Sequence, residues 1–425
     1  MITQEENDLL TRTGKGMPAG ELLRRYWQPV ALAEELPPGG APLPIKILGE
    51  ELALFRDDEG RPGLLGIHCS HRGTDLSYGR VENGGLRCLY HGWLYDIKGR
   101  CLEQPGEPNC GEHRDSIRHL SYPCEESGGI VFAYMGPGKP PLLPSYDFLI
   151  APAERRYVNK IYHECNYLQA NEGNIDPVHL SFLHRFYEAP QGRYTGVRNT
   201  EDSHYNLVGR DLAPTIDVEL TDFGVRIYTT RNQPGGNVYL RVTYFVMPNL
   251  SAFPGQTGGE GYSVNWHVPI DDEHHWKYTF VYSREAALDK GMIHRARSEL
   301  GPEYKLVRNR ANRFNQDREE MKTKTFAGMG YGFQAHDFFA TASQGPVQDR
   351  TNEHVITSDK PIIAARKLME KGIKDIQEGR EPPHVVRDPR ANRFPHMQVI
   401  SDLIPGSTDI KQHTKKVEEE AKARL

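Results

Sequence analysis

The spacing of hydrophobic and polar positions changes character twice along the chain. Near the start, Ala19-Gly20-Glu21-Leu22-Leu23-Arg24-Arg25 sets apolar and basic residues at helical intervals, which predicts a short helical lead-in over 1–25. From Tyr26 to about Pro140 the apolar runs are short and turn residues interrupt them. Val30-Ala31-Leu32, Ile45-Lys46-Ile47-Leu48, Leu52-Ala53-Leu54-Phe55 and Ile130-Val131-Phe132-Ala133-Tyr134 read as strands, parted by turns such as Pro37-Pro38-Gly39-Gly40 and Asp57-Asp58-Glu59-Gly60. Asn83-Gly84-Gly85 predicts a tight hairpin. The prolines of Lys139-Pro140-Pro141-Leu142-Leu143-Pro144 stiffen the next stretch into a linker. Beyond it, 207–253 reads as long antiparallel strands and 276–282 adds another. Helices are predicted over 164–171, 177–186, 286–300 and 360–378, and the Lys/Glu/Ala-rich tail 415–425 reads as an exposed, frayed helix. The expectation is an α+β protein: a small all-β domain over 26–140, then a larger domain over 145–425 with an antiparallel sheet flanked by helices.

Composition narrows the function classes. A chain of 425 residues is too long for one ordinary core, in keeping with two domains. Basic (52) and acidic (57) residues are well mixed, so no footprint for nucleic acid or a membrane surface appears. No cationic-then-apolar leader and no run of about 18 apolar residues occurs, which predicts a soluble, cytoplasmic protein. Six cysteines do not make a disulfide framework; Cys101, Cys110, Cys124 and Cys165 read as reduced thiols. Gly328-Met329-Gly330-Tyr331-Gly332 does not follow a strand in a βαβ unit and reads as a loop, not a dinucleotide fingerprint.

The β region carries one dense chemical stretch. Cys69-Ser70-His71 is followed, after 16 residues, by Cys88-Leu89-Tyr90-His91. Two thiolates and two imidazoles close a tetrahedral zinc site, or hold a [2Fe–2S] cluster with the cysteines on one iron and the histidines on the other. Zinc fingers usually pair like residues within a loop. Here each loop carries one of each, so each can give a ligand to each iron, which favours the cluster. Gly73 and Gly92 come just after the histidines, where backbone N–H groups can approach bridging sulfides unhindered.

A second stretch runs from Asn166 to His184 and contains Glu172, Asn174, Asp176 and His179. Asp176 lies three residues before His179, so on a helix they share a face. His179 and His184 are five apart, about 140° on an ideal helix. Both reach one ion if the helix has a π-bulge or the rotamers converge; the alternative is two unrelated histidines. Pro177 would open the helix with Asp176 as its cap. A mononuclear iron that activates O2 takes two histidines and one carboxylate on one face. Asp337, in Phe333-Gln334-Ala335-His336-Asp337-Phe338-Phe339, is the attractive third ligand, since a charge among aromatics is costly unless paired or metal-bound. His336 reads as an outer donor or as an ordinary polar residue of that loop.

Together these residues resemble the catalytic alpha subunits of the Rieske non-haem iron ring-hydroxylating oxygenases, more narrowly the phthalate 4,5-dioxygenase type with its O-demethylases of lignin-derived biaryl acids. Nearly the whole chain takes part: Arg25-Tyr26-Trp27-Gln28-Pro29-Val30, the Cys69–His91 motif, Asn166-Tyr167-Leu168-Gln169, Glu172 to His184, Ser343 to Thr351 and Ser358 to Ile363. The resemblance implies a [2Fe–2S] centre on Cys69, Cys88, His71 and His91, and Fe(II) on His179, His184 and Asp337. It makes Asp176 the carboxylate that bridges the iron site to a neighbouring subunit's His91. It implies a homo-oligomer, a trimer or a hexamer of stacked trimers. An NAD(P)H-dependent reductase, with flavin and/or ferredoxin, would supply electrons, and O2 would oxidise a small aromatic acid by ring hydroxylation or oxidative O-demethylation.

Two departures stand out. Relatives often read Gln-Asp-x-x-Met-Gln-Glu where this chain has His336-Asp337-Phe338-Phe339-Ala340-Thr341-Ala342. Phthalate-directed relatives often carry an arginine after Asp-x-Ala-Pro, where Asp211-Leu212-Ala213-Pro214 is followed by Thr215. Arg210, Arg226, Arg231 and Arg241 are the candidates to grip a substrate carboxylate in its place. The alternative is a Rieske-type electron-transfer protein without oxygenase activity, for which the first domain alone would suffice.

Overall fold

A computed structural model describes residues 2–188, 202–255, 261–296, 299–395 and 397–423. The lead-in is two helices, Gln4–Thr11 and Pro18–Leu23. Thr3 and Glu6 close a capping box on the first, and Pro18 opens the second where its missing N–H is no loss. Both pack toward the C-terminal half: Tyr167 donates to the Leu10 carbonyl at 2.8 Å and Asn7 to the Gln348 carbonyl at 3.0 Å.

The β region holds three small antiparallel sheets. Trp27–Leu32, Ile130–Tyr134 and Cys124–Ser127 form one, and Leu43–Ile47, Glu50–Arg56, Pro62–Gly66 and Ser121–Tyr122 the second. The third is a meander of Arg80–Glu82, Gly85–Arg87, Leu94–Asp96 and Cys101–Glu103. Its first turn takes Asn83 at φ 52° and Gly84 at φ 76°, the left-handed pair that a tight hairpin requires.

The larger sheet has eight strands, all antiparallel. Arg156–His163, His275–Ser283, Gly261–Pro269, Leu250–Phe253, Asn237–Val246, Gly224–Gln233 and Thr215–Leu220 lie side by side in that order, and Ile400–Pro405 also pairs with Asn237–Val246. The helices Tyr167–Ile175 and Phe333–Ala342 pack on it, and Lys360–Gln377 covers its Thr215–Leu220 end. One core joins sheet and β region, with Phe132 against Trp266 at 5.5 Å between ring centroids. The fold is therefore α+β.

Several expected elements differ, among them the start of the 207–253 strand run, where His204–Arg210 is a helix, and the predicted helix 286–300, which is helical over Lys290–Ala296. Only His179–Phe182 of the predicted 177–186 is helical, because the Asp176 carboxylate caps the Val178 N–H and the chain turns at Leu183. Asp337 and His336 sit on the helix Phe333–Ala342 rather than on a loop. The tail is the helix Ile410–Ala423, and it is docked rather than frayed: Glu418 pairs with Arg226, and His413 contacts Asp402 at 2.8 Å. No helix among the described residues is long and apolar enough to cross a membrane.

Candidate metal centres

Cys69 and Cys88 belong to the small apolar core of the β region, beside Phe55, Leu76, Leu86 and Tyr95. Their two loops share one hydrogen-bond frame. The Cys69 N–H donates to the Thr74 carbonyl at 2.9 Å, and the Cys88 N–H to the Trp93 carbonyl at 2.8 Å. Within each, a glycine N–H closes back on the cysteine carbonyl, Gly73 at 2.8 Å and Gly92 at 3.0 Å. Both glycines take positive φ, 77° and 74°, a conformation that would strain a side chain. Arg87 buttresses the second loop by donating to the Gly92 carbonyl at 2.6 Å and to Glu103 at 2.7 Å.

This frame brings the donors together. The His71 and His91 rings lie 4.5 Å apart between centroids, and Trp93 stacks on His71 at 4.5 Å. Burial and the neighbouring Cys69 push the Cys88 thiol up, while the Tyr90 and His91 N–H groups aimed at its sulfur pull it down. The Tyr95 hydroxyl lies 3.2 Å from the Cys69 sulfur. His71 Nδ1 is buried with no hydrogen-bond partner. An orphaned imidazole nitrogen facing the second histidine, with two core thiols ringed by N–H and O–H donors, fits a [2Fe–2S] cluster. The cysteines are buried and the histidines half-exposed, so the histidine side faces outward.

His179, His184 and Asp337 bring one ligand atom each within 4.8 Å of one another. His184 Nε2 lies 2.9 Å and His179 Nε2 3.9 Å from Asp337 Oδ1. The histidines five apart converge where the helical hydrogen-bond ladder ends: the Leu183 N–H still reaches the His179 carbonyl at 2.8 Å, but the Arg185 N–H tightens to the Phe182 carbonyl at 2.9 Å. His179 Nδ1 lies 2.7 Å from the Asp176 main-chain carbonyl, which turns its other nitrogen toward Asp337. Burial pushes the Asp337 carboxyl up, but His184, His179 and Lys277 overrule it and hold it well below the carboxylate range. Burial holds the His184 imidazole below its usual value, so it stays neutral, as a ligand must. A half-buried, ionised carboxylate facing the ring nitrogens of His179 and His184 fits a divalent iron. A cavity borders the site, lined by Asp176, His179 and Asp337 and, deeper, by His163, His267 and Lys277.

The four arginine candidates separate cleanly. Arg210 pairs with Asp202 at 2.9 Å, and Arg226 with Glu219 at 3.1 Å and with Glu418. Arg226 also lies on the opposite sheet face, since it pairs with Tyr244 while Arg231 pairs with Tyr239 and Arg241 with Thr229. Arg231 and Arg241 are diagonal neighbours on one face, both buried, and neither has a carboxylate within ion-pair reach among the described residues. Arg231 donates to the Pro177 carbonyl at 2.7 Å, directly under the histidine segment, while its Nε and Nη1 have no partner. Burial, with Arg241 adding to it, pulls the Arg231 guanidinium down to about 10. Arg241 meets His204 at 2.9 Å and the Tyr239 hydroxyl at 3.4 Å.

His204, Tyr239 and the buried Lys277 were not singled out in the sequence, which carries no local signal for them. His163, Cys165 and His275 form a second group of possible ligands. His275 already uses both nitrogens, on the Cys165 carbonyl at 2.7 Å and on His267 at 3.1 Å. Lys277 lies buried beside them and the group holds no carboxylate, so a cation has nothing to neutralise it there.

Comparison with known proteins identifies the domains that carry these residues. Residues 26–122 match the Rieske [2Fe-2S] domain, and residues 133–425 match the LigXa C-terminal domain-like family. The chain is 36% identical to the phthalate 4,5-dioxygenase oxygenase subunit of Pseudomonas putida over 89% of its own length and 88% of that protein's. It is 35% identical to the phenoxybenzoate dioxygenase subunit alpha of Ectopseudomonas oleovorans (88% and 87%), and 32% identical to the 5,5'-dehydrodivanillate O-demethylase oxygenase subunit of a Sphingobium species (92% and 85%). Among solved structures, the terminal oxygenase of carbazole 1,9a-dioxygenase from Novosphingobium sp. KA1 superposes with a TM-score of 0.60 at 19% identity, covering 88% of this chain and 96% of that one.

Proposed function

The chain belongs to the Rieske non-haem iron oxygenases, and from that premise we propose the residue roles and the substrate class. It is a terminal oxygenase subunit with a [2Fe–2S] cluster and a mononuclear iron, served by an electron-transfer partner. When bound, the metals supply one-electron transfer and O2 activation. On this reading 26–140 is the cluster-carrying unit and 145–425 the catalytic one. Cys69, Cys88, His71 and His91 hold the cluster, and His179, His184 and Asp337 hold the iron. Asp176 lines the cavity beside His179 and offers its carboxylate to a neighbouring copy's His91. The outward-facing histidines, next to the exposed Leu89 and Tyr90, support a trimer or stacked trimers in which that contact forms. An NAD(P)H-dependent reductase, directly or through a ferredoxin, is the proposed source of electrons.

The observation that carries the substrate class is the pair Arg231 and Arg241. Two adjacent guanidinium groups buried with no carboxylate in ion-pair reach among the described residues are costly, and an anion that ligates them relieves the cost. They lie under the iron segment, so a carboxylate held there presents its aromatic ring to the iron. The relatives named for phenoxybenzoate, phthalate and dehydrodivanillate support an aromatic acid. The test is a single turnover of the chemically reduced holoprotein with O2 on benzoates, phthalates and methoxylated biaryl acids, read by mass spectrometry. A cis-diol identifies ring hydroxylation; formaldehyde with a phenol identifies O-demethylation. Arg241→Leu should raise KM for the carboxylate and leave the matching amide unaffected, and an unchanged KM refutes the anion site.

A further inference from the structure

His184 is held from both sides by one helix. Successive residues on a helix point about 100° apart, and on Phe333–Ala342 the consecutive His336 and Asp337 both turn to the same imidazole. Asp337 meets Nε2 at 2.9 Å, and His336 meets Nδ1 with its own Nδ1 at 3.1 Å. The far nitrogen of His336, Nε2, lies 2.9 Å from the Gly330 carbonyl. That carbonyl belongs to the glycine-rich stretch that the sequence left without a role. The stretch is pinned in turn, because the Gly330 N–H donates to Glu320 at 2.7 Å and Gly330 takes φ 71°.

The order of donors along this chain follows from chemistry. A carbonyl only accepts, so His336 Nε2 carries the hydrogen. With its hydrogen on Nε2, the single-hydrogen tautomer of His336 keeps its lone pair on Nδ1. The His184 Nδ1 that faces it must therefore donate, which leaves a lone pair on His184 Nε2, pointing at Asp337 where the iron is placed. His336 is fully buried, so water does not compete for these contacts. His179 is set the same way by a different acceptor, the Asp176 carbonyl.

The geometry points to His336 as a positioning residue for the mononuclear iron: with the Gly330 carbonyl behind it, it fixes the His184 tautomer and ring orientation for Nε2 ligation. This rests on His184 being an iron ligand. A glutamine side chain also offers an N–H for the carbonyl and an oxygen for the His184 N–H, whereas leucine offers neither.

The experiment measures Fe(II) affinity by equilibrium dialysis in holoprotein stripped only of its mononuclear iron, with cluster absorbance as the internal fold control. His336→Leu should bind Fe(II) about 10–100-fold more weakly, the usual scale for losing a ligand's hydrogen-bond partner. His336→Gln should stay within about threefold of the parent protein, a rescue that bulk packing would not produce. His184→Ala is run alongside. If it loses iron while His336→Leu binds normally, the positioning role is overturned and the ligand assignment stands. If His184→Ala also binds normally, the ligand assignment itself fails. Should His336→Leu lose its cluster absorbance and not fold, cobalt(II)-loaded parent protein decides. Two hyperfine-shifted exchangeable protons, one from each Nδ1–H, are expected, and a single one overturns the proposal.

Discussion

The cluster loops draw four donors from residues 69–91 and frame them with their own backbone. The iron site instead joins His184 to Asp337 across 153 positions and depends on two helices meeting over a sheet. In the loops, Cys–carbonyl and glycine–Cys hydrogen bonds repeat in near-identical form, so donor geometry follows from local turns. At the iron site each imidazole is aimed by a different partner, the Asp176 carbonyl for His179 and His336 for His184. A locally framed site survives damage elsewhere in the fold, whereas one assembled over long range inherits every change in packing. The sharpest test of that contrast is a variant that severs the two centres while disturbing neither. Asp176→Asn should keep the cluster spectrum and all three irons per chain yet lower coupled turnover by about two orders of magnitude, the scale of losing one preorganised charged contact. Near-normal turnover would sink the bridging role.

Metal content separates the centres next. Asp337→Ala should lower iron from three per chain to two with cluster absorbance unchanged, and Cys88→Ser should remove the cluster pair and leave the mononuclear iron. If either variant lost all of its iron, the two sites would be coupled through folding and the contrast would fail.

Glu172 tests the dependence on long-range packing. It lies on the helix that ends at Asp176, buried between Arg350 at 2.7 Å and Arg366 at 2.6 Å. Burial pushes its carboxyl up, but the two arginines outweigh this and hold it below the usual carboxylate range. A depressed folded-state pKa gives stability that is present above the unfolded value, about 4.3, and lost as pH falls through the folded one. Glu172→Gln should therefore destabilise the larger domain by about 3 kcal/mol near neutral pH, with the gap closing below about pH 4. Thermal scans at both pH values, with cluster absorbance followed separately, check it. Mononuclear iron should be lost before the cluster bleaches, and the reverse order would contradict local framing.

The same contrast explains what the sequence revealed. The cluster motif was legible because its donors and both glycines fall within one window. The strands of the large sheet were legible from alternation in stretches such as 238–246. The histidine pair was visible as a candidate, but its convergence was not, because the helical hydrogen-bond ladder stops after Leu183 and spacing rules assume that it continues. The four arginines looked alike, since pairing of Arg226 with Glu418 depends on a tail helix that docks from 192 positions away. His336 was ambiguous for the same reason: its meaning lies in a contact with His184, 152 positions distant.

Within the loops themselves the frame can be tested at a finer scale, because its two glycines differ in surroundings. Both hold positive φ, so alanine at either should cost about 1–2 kcal/mol of backbone strain. A Cβ on Gly73 meets nothing within 4 Å, whereas one on Gly92 lies 2.7 Å from Pro105 Cγ and forces that ring to move. Gly92 also carries the carbonyl that Arg87 holds, so any shift there passes to the segment bearing Cys88 and His91. Gly92→Ala should lower the cluster's bleaching temperature more than Gly73→Ala, with the mononuclear iron retained in both. Equal losses would mean that backbone strain alone sets loop stability, and that the Pro105 contact and the Arg87 buttress add nothing.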